Sequence, residues 1–579
     1  MITQTRSGVP RKTDFALLTD ALDYAAEAGT GLTFYDGRGA PVLALSYGEL
    51  RDRAADRAAR LHALGFERGD RIGLIGETSP EFVTAFLACV RAGLLPVPLP
   101  VAGVFAEPAR YGDQISRQLA GCGARLLLRP EGADLLPGHA NLREMSWSEL
   151  AAAPAGDLPH TGPEPDDLCY LQYSSGSTRF PRGVGVTHRA LMRNCRDIAI
   201  DGIGVRNDER VVSWLPLYHD MGLVGTLLAS LAAQVSVDFI TTDTFARRPL
   251  VWLQLISRNR GTVSYAPCFG YDLCRRRAKP GQIADLDLSS WRIAGVGAEL
   301  IDPQVMEGFA EVFAPAGFRS ESILASYGLA EATLGVTFAP RDEGLRTDTV
   351  DAEVLSRHRR AVISNESGTR TLVRCGRPLS GQTIEIRGED GEVLPPRMVG
   401  RVMIRGESVM QGYFNDPDST AATIADGWLD SGDLGYMAEG DLVIVGRAKD
   451  TIIVNGRNLW PQDLEWIVEQ MPEVRTGDCA AFGTKEPGQG ERAVLLIQCR
   501  AVDPAARAAL VAEAHGRLLA ATGVDCRVVL VPPHSLPRTS SGKLNRSLAR
   551  ERFRAGLLAE PEAAPGIGAG AMRQVAAAR

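Results

Sequence analysis

None of the ten cysteines stands in a CxxC pair, and a chain of 579 residues has no need of a disulfide frame, so ten buried free thiols are expected. The start, MITQTRSGVPRKTDF, carries charges but no apolar h-region, which excludes a signal peptide and leads to the expectation of a cytoplasmic protein. No membrane span is expected either: the most apolar stretch, 223–240, is interrupted by Gln234 and Asp238 and reads as buried core. Basic residues are not in excess, with 63 Lys and Arg against 70 Asp and Glu and a formal net charge of −7, so nucleic acid is excluded as the main partner. No fixed-period repeat runs through the chain.

What is present is alternation. The apolar run RIGLI at 71–75 predicts a strand, and Ser79 is a plausible N-cap for a helix over 80–92 with Pro80 at its first position. Extended chain follows at Gly93, giving a βαβ-like unit and favouring layered α/β architecture. Residues 151–167, rich in Pro, Gly and Ala, read as a connection. The alternation resumes to about 339, with helices expected near 188–200 and 249–259. Residues 345–371 are polar, are interrupted by SNESGT and show no long periodic run. From 450 a separate α+β unit is expected, with strands at 451–454, 478–482, 493–499 and 524–531 and helices at 461–470 and 504–520. Length alone argues for two or three domains, because single cores stop growing near about 250–300 residues.

The apolar strand LCYLQY, 168–173, runs into SSGSTRFPRG, 174–183. Small hydroxylated residues and glycine allow backbone N–H groups and hydroxyls to converge on phosphate oxygens. The loop lacks the Gly-Lys-Ser/Thr ending of a Walker A motif. Taken alone, such a loop is more often simply a loop.

With its neighbours it resembles something definite. The loop 173–183, SYGLAE at 326–331, GWLDSGDL at 427–434, GRAKD at 446–450 and PRTSSGKLNR at 537–546 occur in the order of the adenylate-forming superfamily, which includes acyl-CoA synthetases, peptide-synthetase adenylation domains and luciferases. Within it the chain is most similar to fatty acyl-AMP ligases. Arg179 replaces the usual glycine of the phosphate loop, SWLPLYHDMGL (213–223) and SYAPCFGYDLC (264–274) look like acyl-site segments, and 345–371 falls where those ligases carry an insertion that disfavours the state accepting coenzyme A. Two departures stand out: Arg182 replaces the usual lysine, and QVSVDFITT at 234–242 replaces the usual region after the HDMG motif.

The resemblance implies an α/β fold: a large domain of layered αβ subdomains with a small β-barrel-like subdomain (1–446), a mobile C-terminal α+β lid (447–560) and a disordered tail (561–579). It implies ATP-dependent conversion of a fatty acid to acyl-AMP, with Mg²⁺, and transfer to the phosphopantetheine of an acyl carrier protein in lipid natural-product biosynthesis. Lys543 would bridge the carboxylate and α-phosphate, and His219 would border the reacting carboxylate. Ser174, Ser175, Gly176, Ser177 and Thr178 would hold phosphates. Gly297, Ala298 and Glu299 would line one face of adenine, and Ser326, Tyr327 and Gly328 the other, with Tyr327 stacking on the base. Asp433 would take the ribose hydroxyls and Arg447 the ribose or phosphates, Glu331 would hold the metal, and Lys449 would sit at the interdomain hinge. Tyr218, Met221, Phe269 and Tyr271 would line the acyl site, although apolar residues serve equally well as plain core. Three alternatives stay open: a synthetase that uses coenzyme A, an amino-acid adenylating enzyme, and an inactive binding protein on the same fold.

Overall fold

The carboxyl ends of parallel strands organise this molecule. A computed structural model describes residues 13–102, 108–132, 142–158, 162–174, 181–454, 456–485, 491–539 and 542–558, and the chain divides into two compact units between Ala448 and Lys449. The expected tail lies outside the described residues.

The larger unit is built on a nine-stranded sheet. Gly31–Tyr35, Ser236–Phe239, Arg210–Ser213, Val263–Ala266, Ile293–Val296 and Ile323–Gly328 run parallel, in that spatial order. Antiparallel strands flank them: Pro41–Ser46 on one edge, Gly335–Phe338 and Arg377–Pro378 on the other. The parallel strands are mostly buried, as strands covered on both faces are, whereas the edge strand Pro41–Ser46 is mostly exposed. A second, all-parallel sheet orders Leu95–Leu99, Arg71–Ile75, Leu126–Arg129 and Arg143–Ser146. Its strand at 71–75 and the following helix Pro80–Arg91, capped by the Ser79 hydroxyl, form as the local sequence dictates. A five-stranded antiparallel sheet is built from Gln382–Arg387, Gly400–Gly406, Ile424–Ala425, Trp428–Ala438 and Asp441–Arg447.

The apolar stretch at 223–240 is buried, as expected, as a π-helical segment Met221–Leu228, a short helix and the strand Ser236–Phe239. Its interruption by Asp238 has a physical reason. The carboxylate is fully buried and takes two 2.7 Å hydrogen bonds from the Arg210 guanidinium on the adjacent strand. All ten cysteines are buried and free. Among the described residues no helix is long and apolar enough to cross a membrane.

Two local expectations need correction. The helix from His188 ends at Asp197 and widens into a π-helical turn, Ile198–Gly202. The polar stretch 345–371 contains a strand Thr347–Asp351, a helix Ala352–His358 and most of a returning strand Thr369–Val373. Its inward positions include Asp348 and Arg370, so a period of two exists but is filled by charge and escapes a hydropathy reading. Asp348 accepts hydrogen bonds from Arg374 (3.0 Å), Arg397 (3.0 Å) and the Tyr436 hydroxyl (2.6 Å). Arg370 donates to the Val445 carbonyl at 3.0 Å.

The smaller unit pairs Cys479–Lys485, Glu491–Gln498 and Cys526–Val531 in one sheet, with helices Pro461–Glu469, Pro504–Thr522 and Arg546–Arg554. Glu465, nearly buried, accepts from the Ala481 N–H at 2.9 Å and pairs with Arg546 at 2.7 Å, tying two helices to the sheet.

Candidate active site

Four neighbouring parallel strands of the large sheet end beside one another, and each leads directly into a segment singled out by sequence. Arg210–Ser213 leads to Trp214–Met221, Val263–Ala266 to Phe269 and Tyr271, Ile293–Val296 to Gly297–Glu299, and Ile323–Gly328 to Glu331. The carboxyl edge of a parallel sheet is where open α/β folds bind ligands, so the topology alone gathers these residues.

Gly297 has to be small: a Cβ there would lie 2.8 Å from the Ser326 carbonyl oxygen. Ala298 follows with a left-handed backbone, φ +69°, a strained conformation for a residue with a Cβ. The Glu299 carboxylate accepts from the Phe269 N–H at 3.1 Å, joining the turn at 297–299 to the helix Cys268–Arg277. Gly328 is tighter still, since a Cβ would sit 1.9 Å from the Leu334 oxygen.

Tyr327, Asp433 and Arg447 converge. Asp433 and Arg447 are opposite partners in the antiparallel pair Trp428–Ala438 and Asp441–Arg447. Tyr327 donates its hydroxyl to Asp433 Oδ2 at 2.7 Å, and Arg447 Nε lies 3.0 Å from Oδ1.

Glu331 sits in a helical turn next to a γ-turn centred on Thr333, φ +68° and ψ −55°, closed by a 2.8 Å bond from the Leu334 N–H to the Ala332 oxygen. Such a turn at a β-branched residue stores strain, and here the Thr333 hydroxyl is held by the Ser408 carbonyl at 2.7 Å. Glu331 Oε1 accepts from the Tyr413 hydroxyl at 2.9 Å. Burial pushes the Glu331 carboxyl above the ordinary carboxylate range and Asp220 adds to the push, while the residue's own backbone N–H, the Tyr413 hydrogen bond and Arg447 oppose it. Burial also raises Tyr413, so its phenol remains the donor.

Of the phosphate loop, Ser174 is described: its N–H donates to the Arg182 carbonyl at 3.0 Å, closing the loop base. Ser175, Gly176, Ser177 and Thr178 lie outside the described residues. Arg182, which replaces the usual lysine, places its guanidinium over the Tyr413 ring at 5.1 Å.

Tyr218, His219 and Met221 precede and open the π-helical segment, and the Gln172 amide of the loop strand donates to the Tyr218 carbonyl at 2.8 Å. Burial pushes Tyr218 up to about 12. His219 Nδ1 lies 2.6 Å from Asp220 Oδ1. Phe269 meets Trp214 edge-on at 5.8 Å, and Trp214 stacks on Phe245 at 3.7 Å. Tyr271 packs in the aromatic core against Phe309 and Trp252, the plain-core alternative open from sequence, with its hydroxyl on the Gly295 carbonyl at 2.8 Å.

In the smaller unit Lys543 is half-buried on a tight turn, where its carbonyl accepts from the Thr539 N–H at 2.7 Å. Lys449 lies in the turn Ala448–Asp450, where the two units divide. Sequence reasoning overlooked Tyr413 and Gln172. An aromatic after Gly412 among turn formers, QGYFNDPDST at 411–420, was the available signal for Tyr413.

A family model of AMP-binding enzymes matches residues 32–414. A protein of Caulobacter vibrioides named as an acyl-CoA synthetase is 46% identical over 567 residues, covering 96% of this chain and 98% of its own. A medium-chain-fatty-acid acyl-carrier-protein ligase of Moorena producens is 33% identical over 582 residues, covering 95% and 97%. Among solved structures, one from a study of fatty acyl-adenylate ligases of E. coli and L. pneumophila is similar with a TM-score of 0.90 and 45% identity, covering 94% of this chain and 99% of its own.

Proposed function

Since the chain belongs to the AMP-binding enzyme family, as an acid–AMP-forming ligase of the fatty acyl-AMP type, we propose that it passes its activated fatty acid to the phosphopantetheine of an acyl carrier protein. The observation that carries the adenylating part of this reading is the gathering of Gly297–Glu299, Tyr327 and Glu331 after neighbouring parallel strands, with Asp433 and Arg447 of the antiparallel sheet joined to Tyr327.

In the first step a fatty-acid carboxylate oxygen attacks the α-phosphorus of ATP. The bond to the bridging oxygen breaks, and its electron pair leaves with pyrophosphate. Two anions must meet and the leaving group gains charge, so positioning and cationic stabilisation dominate. Asp433 takes the ribose hydroxyls, Tyr327 packs on adenine, and Lys543 supplies positive charge to the reacting groups. Among the described residues no cluster of three or more His, Cys, Asp or Glu could hold a metal. A single buried carboxylate such as Glu331 fits Mg²⁺, which keeps its waters and is bound mainly through substrate phosphates. When bound, Mg²⁺ would neutralise phosphate charge. In the second step the carrier thiol attacks the acyl carbonyl carbon and AMP departs.

The acyl-carrier-protein ligase of Moorena producens supports the carrier as acceptor, as does the likeness of 345–371 to the insertion of acyl-AMP ligases. The name of the Caulobacter relative favours coenzyme A as a second reading. The amino-acid reading is weakened because Asp220, the carboxylate nearest the position of an ammonium anchor, is engaged with His219 and with the Met221 N–H at 2.7 Å. Product analysis with ATP, Mg²⁺ and a ladder of fatty acids decides between them, run without acceptor, with coenzyme A and with a phosphopantetheinylated carrier. Acyl-AMP that persists with coenzyme A and is discharged by the carrier supports the proposal. Rapid acyl-CoA formation replaces it with the second reading.

A further inference from the structure

The chain from Ser408 to Asp416 lies across two regions of the site that the sequence separates widely. At one end Met410 donates its N–H to the Glu331 carbonyl at 2.9 Å, and the Ser408 carbonyl holds Thr333. At the other, Phe414 donates to the Gly183 carbonyl at 2.7 Å, and the Gly412 carbonyl accepts from Gly185 at 3.2 Å, extending the strand that leaves the phosphate loop. Tyr413 stands between these attachments, 9% exposed, with its own N–H fixed by the Thr420 hydroxyl at 2.9 Å.

The geometry points to Tyr413 as a positioning residue, whose hydroxyl aims the Glu331 carboxylate while its ring carries the phosphate-loop guanidinium of Arg182. Resting on the ATP and Mg²⁺ reading above, this makes one side chain responsible for the relation between metal carboxylate and phosphate loop. The phenol occupies Oε1, and among the described residues no other side chain hydrogen-bonds to this carboxylate, whose own backbone N–H also bears on it. A carboxylate aimed in this way loses little rotational freedom when a cation arrives, the usual service of a group behind a metal ligand. The guanidinium 5.1 Å above the ring is attracted to its face, and Asp416, 3.8 Å from Arg182 Nε, limits its swing. Arg182 is thereby held by a residue that also holds the metal carboxylate. A lysine has no planar guanidinium to lay on that ring, which gives a physical reason for arginine at 182.

The test is Tyr413→Phe, which removes one oxygen and keeps the ring. Mn²⁺ binding would be followed by electron paramagnetic resonance in the presence of a non-hydrolysable ATP analogue, beside nucleotide binding without metal. Acyl-AMP formation would be titrated with Mg²⁺ at saturating ATP and fatty acid. The expected result is Mn²⁺ affinity weaker by about 10-fold or more, a matching rise in the Mg²⁺ requirement, and metal-free nucleotide binding unchanged. In a Glu331→Ala background the same substitution should add almost nothing, since the group it aims is gone, whereas a merely structural role would add its full loss. Wild-type Mn²⁺ affinity in Tyr413→Phe, or undiminished loss in the double variant, overturns the inference while leaving the proposed function standing. A wild-type protein that forms no acyl-AMP and binds no metal–nucleotide complex overturns both.

Discussion

Replacing Asp433 by asparagine isolates the charge of the proposed ribose carboxylate while keeping its shape. Asp433 is 5% exposed, with Oδ2 bonded to the Tyr327 hydroxyl and Oδ1 facing Arg447 Nε. An amide offers one acceptor where the carboxylate offers two, and its NH₂ end faces either a phenol, which can rotate to accept, or a guanidinium, which cannot. The ribose therefore loses one charge-assisted hydrogen bond and the charge behind the other. At about 1.5–3 kcal/mol for a hydrogen bond to a charged group, the expected loss in ATP affinity is about 10- to 150-fold. Tyr327→Phe acts in the opposite sense on the same oxygen: it removes a competitor for Oδ2, so ATP affinity should stay within about threefold while stability falls by about 1 kcal/mol. Because the tyrosine acts on the ribose only through the carboxylate, the double variant should bind ATP no worse than Asp433→Asn alone. Calorimetric ATP titration and ATP–pyrophosphate exchange measure both. Asp433→Asn with ATP affinity within about twofold of wild type would refute the assignment of Asp433 to the ribose.

Lys543→Ala should lower adenylation by at least ~10²-fold, by analogy with the loss of a single stabilising donor, and pyrophosphate release at near-normal rates would remove Lys543 from the chemistry. Gly328→Ala, whose Cβ would sit 1.9 Å from the Leu334 oxygen, should cost about 2–4 kcal/mol in denaturant unfolding, because backbone has to move. His188, buried with Nδ1 accepting the Leu18 N–H at 3.2 Å, is depressed to about 4 by burial, with Asp167 opposing. Below its ordinary pKa of ~6.5 the unfolded chain takes up the proton first, so stability is full above that value and is lost as pH falls toward 4. At pH 5 this amounts to about 2 kcal/mol, and His188→Gln should lose that much less than wild type between pH 7.5 and 5. Equal pH dependence in the two proteins would contradict it.

The elements legible in the sequence were those where hydrophobicity and local chemistry agree. The strand at 71–75 and the helix after Ser79 need only an apolar run, a hydroxyl cap and a proline, and all three are local. The segment after 345 was illegible because its inward positions hold Asp348 and Arg370, which become interior residues only once Arg374, Arg397 and Tyr436 arrive from elsewhere in the chain. The site divides the same way. Motif residues that end parallel strands could be located, but Tyr413 draws its place from Glu331, 82 positions away, and the core packing of Tyr271 could not be told from an acyl contact by an apolar pattern alone.

The segment between 345 and 371 is the natural target for a deletion meant to reveal its role, and its charges foretell the outcome. Excision would leave the Val445 carbonyl without its arginine, and Arg374 and Arg397 with Glu439 as their shared carboxylate but without the buried Asp348. Removing one partner of a buried ion pair costs up to about 3–5 kcal/mol, with Glu439 here offsetting part of the loss. The deleted protein would therefore report instability rather than acceptor choice. A shortened loop joining residue 351 to residue 369, with both strands retained, is the surgery that keeps the two questions apart.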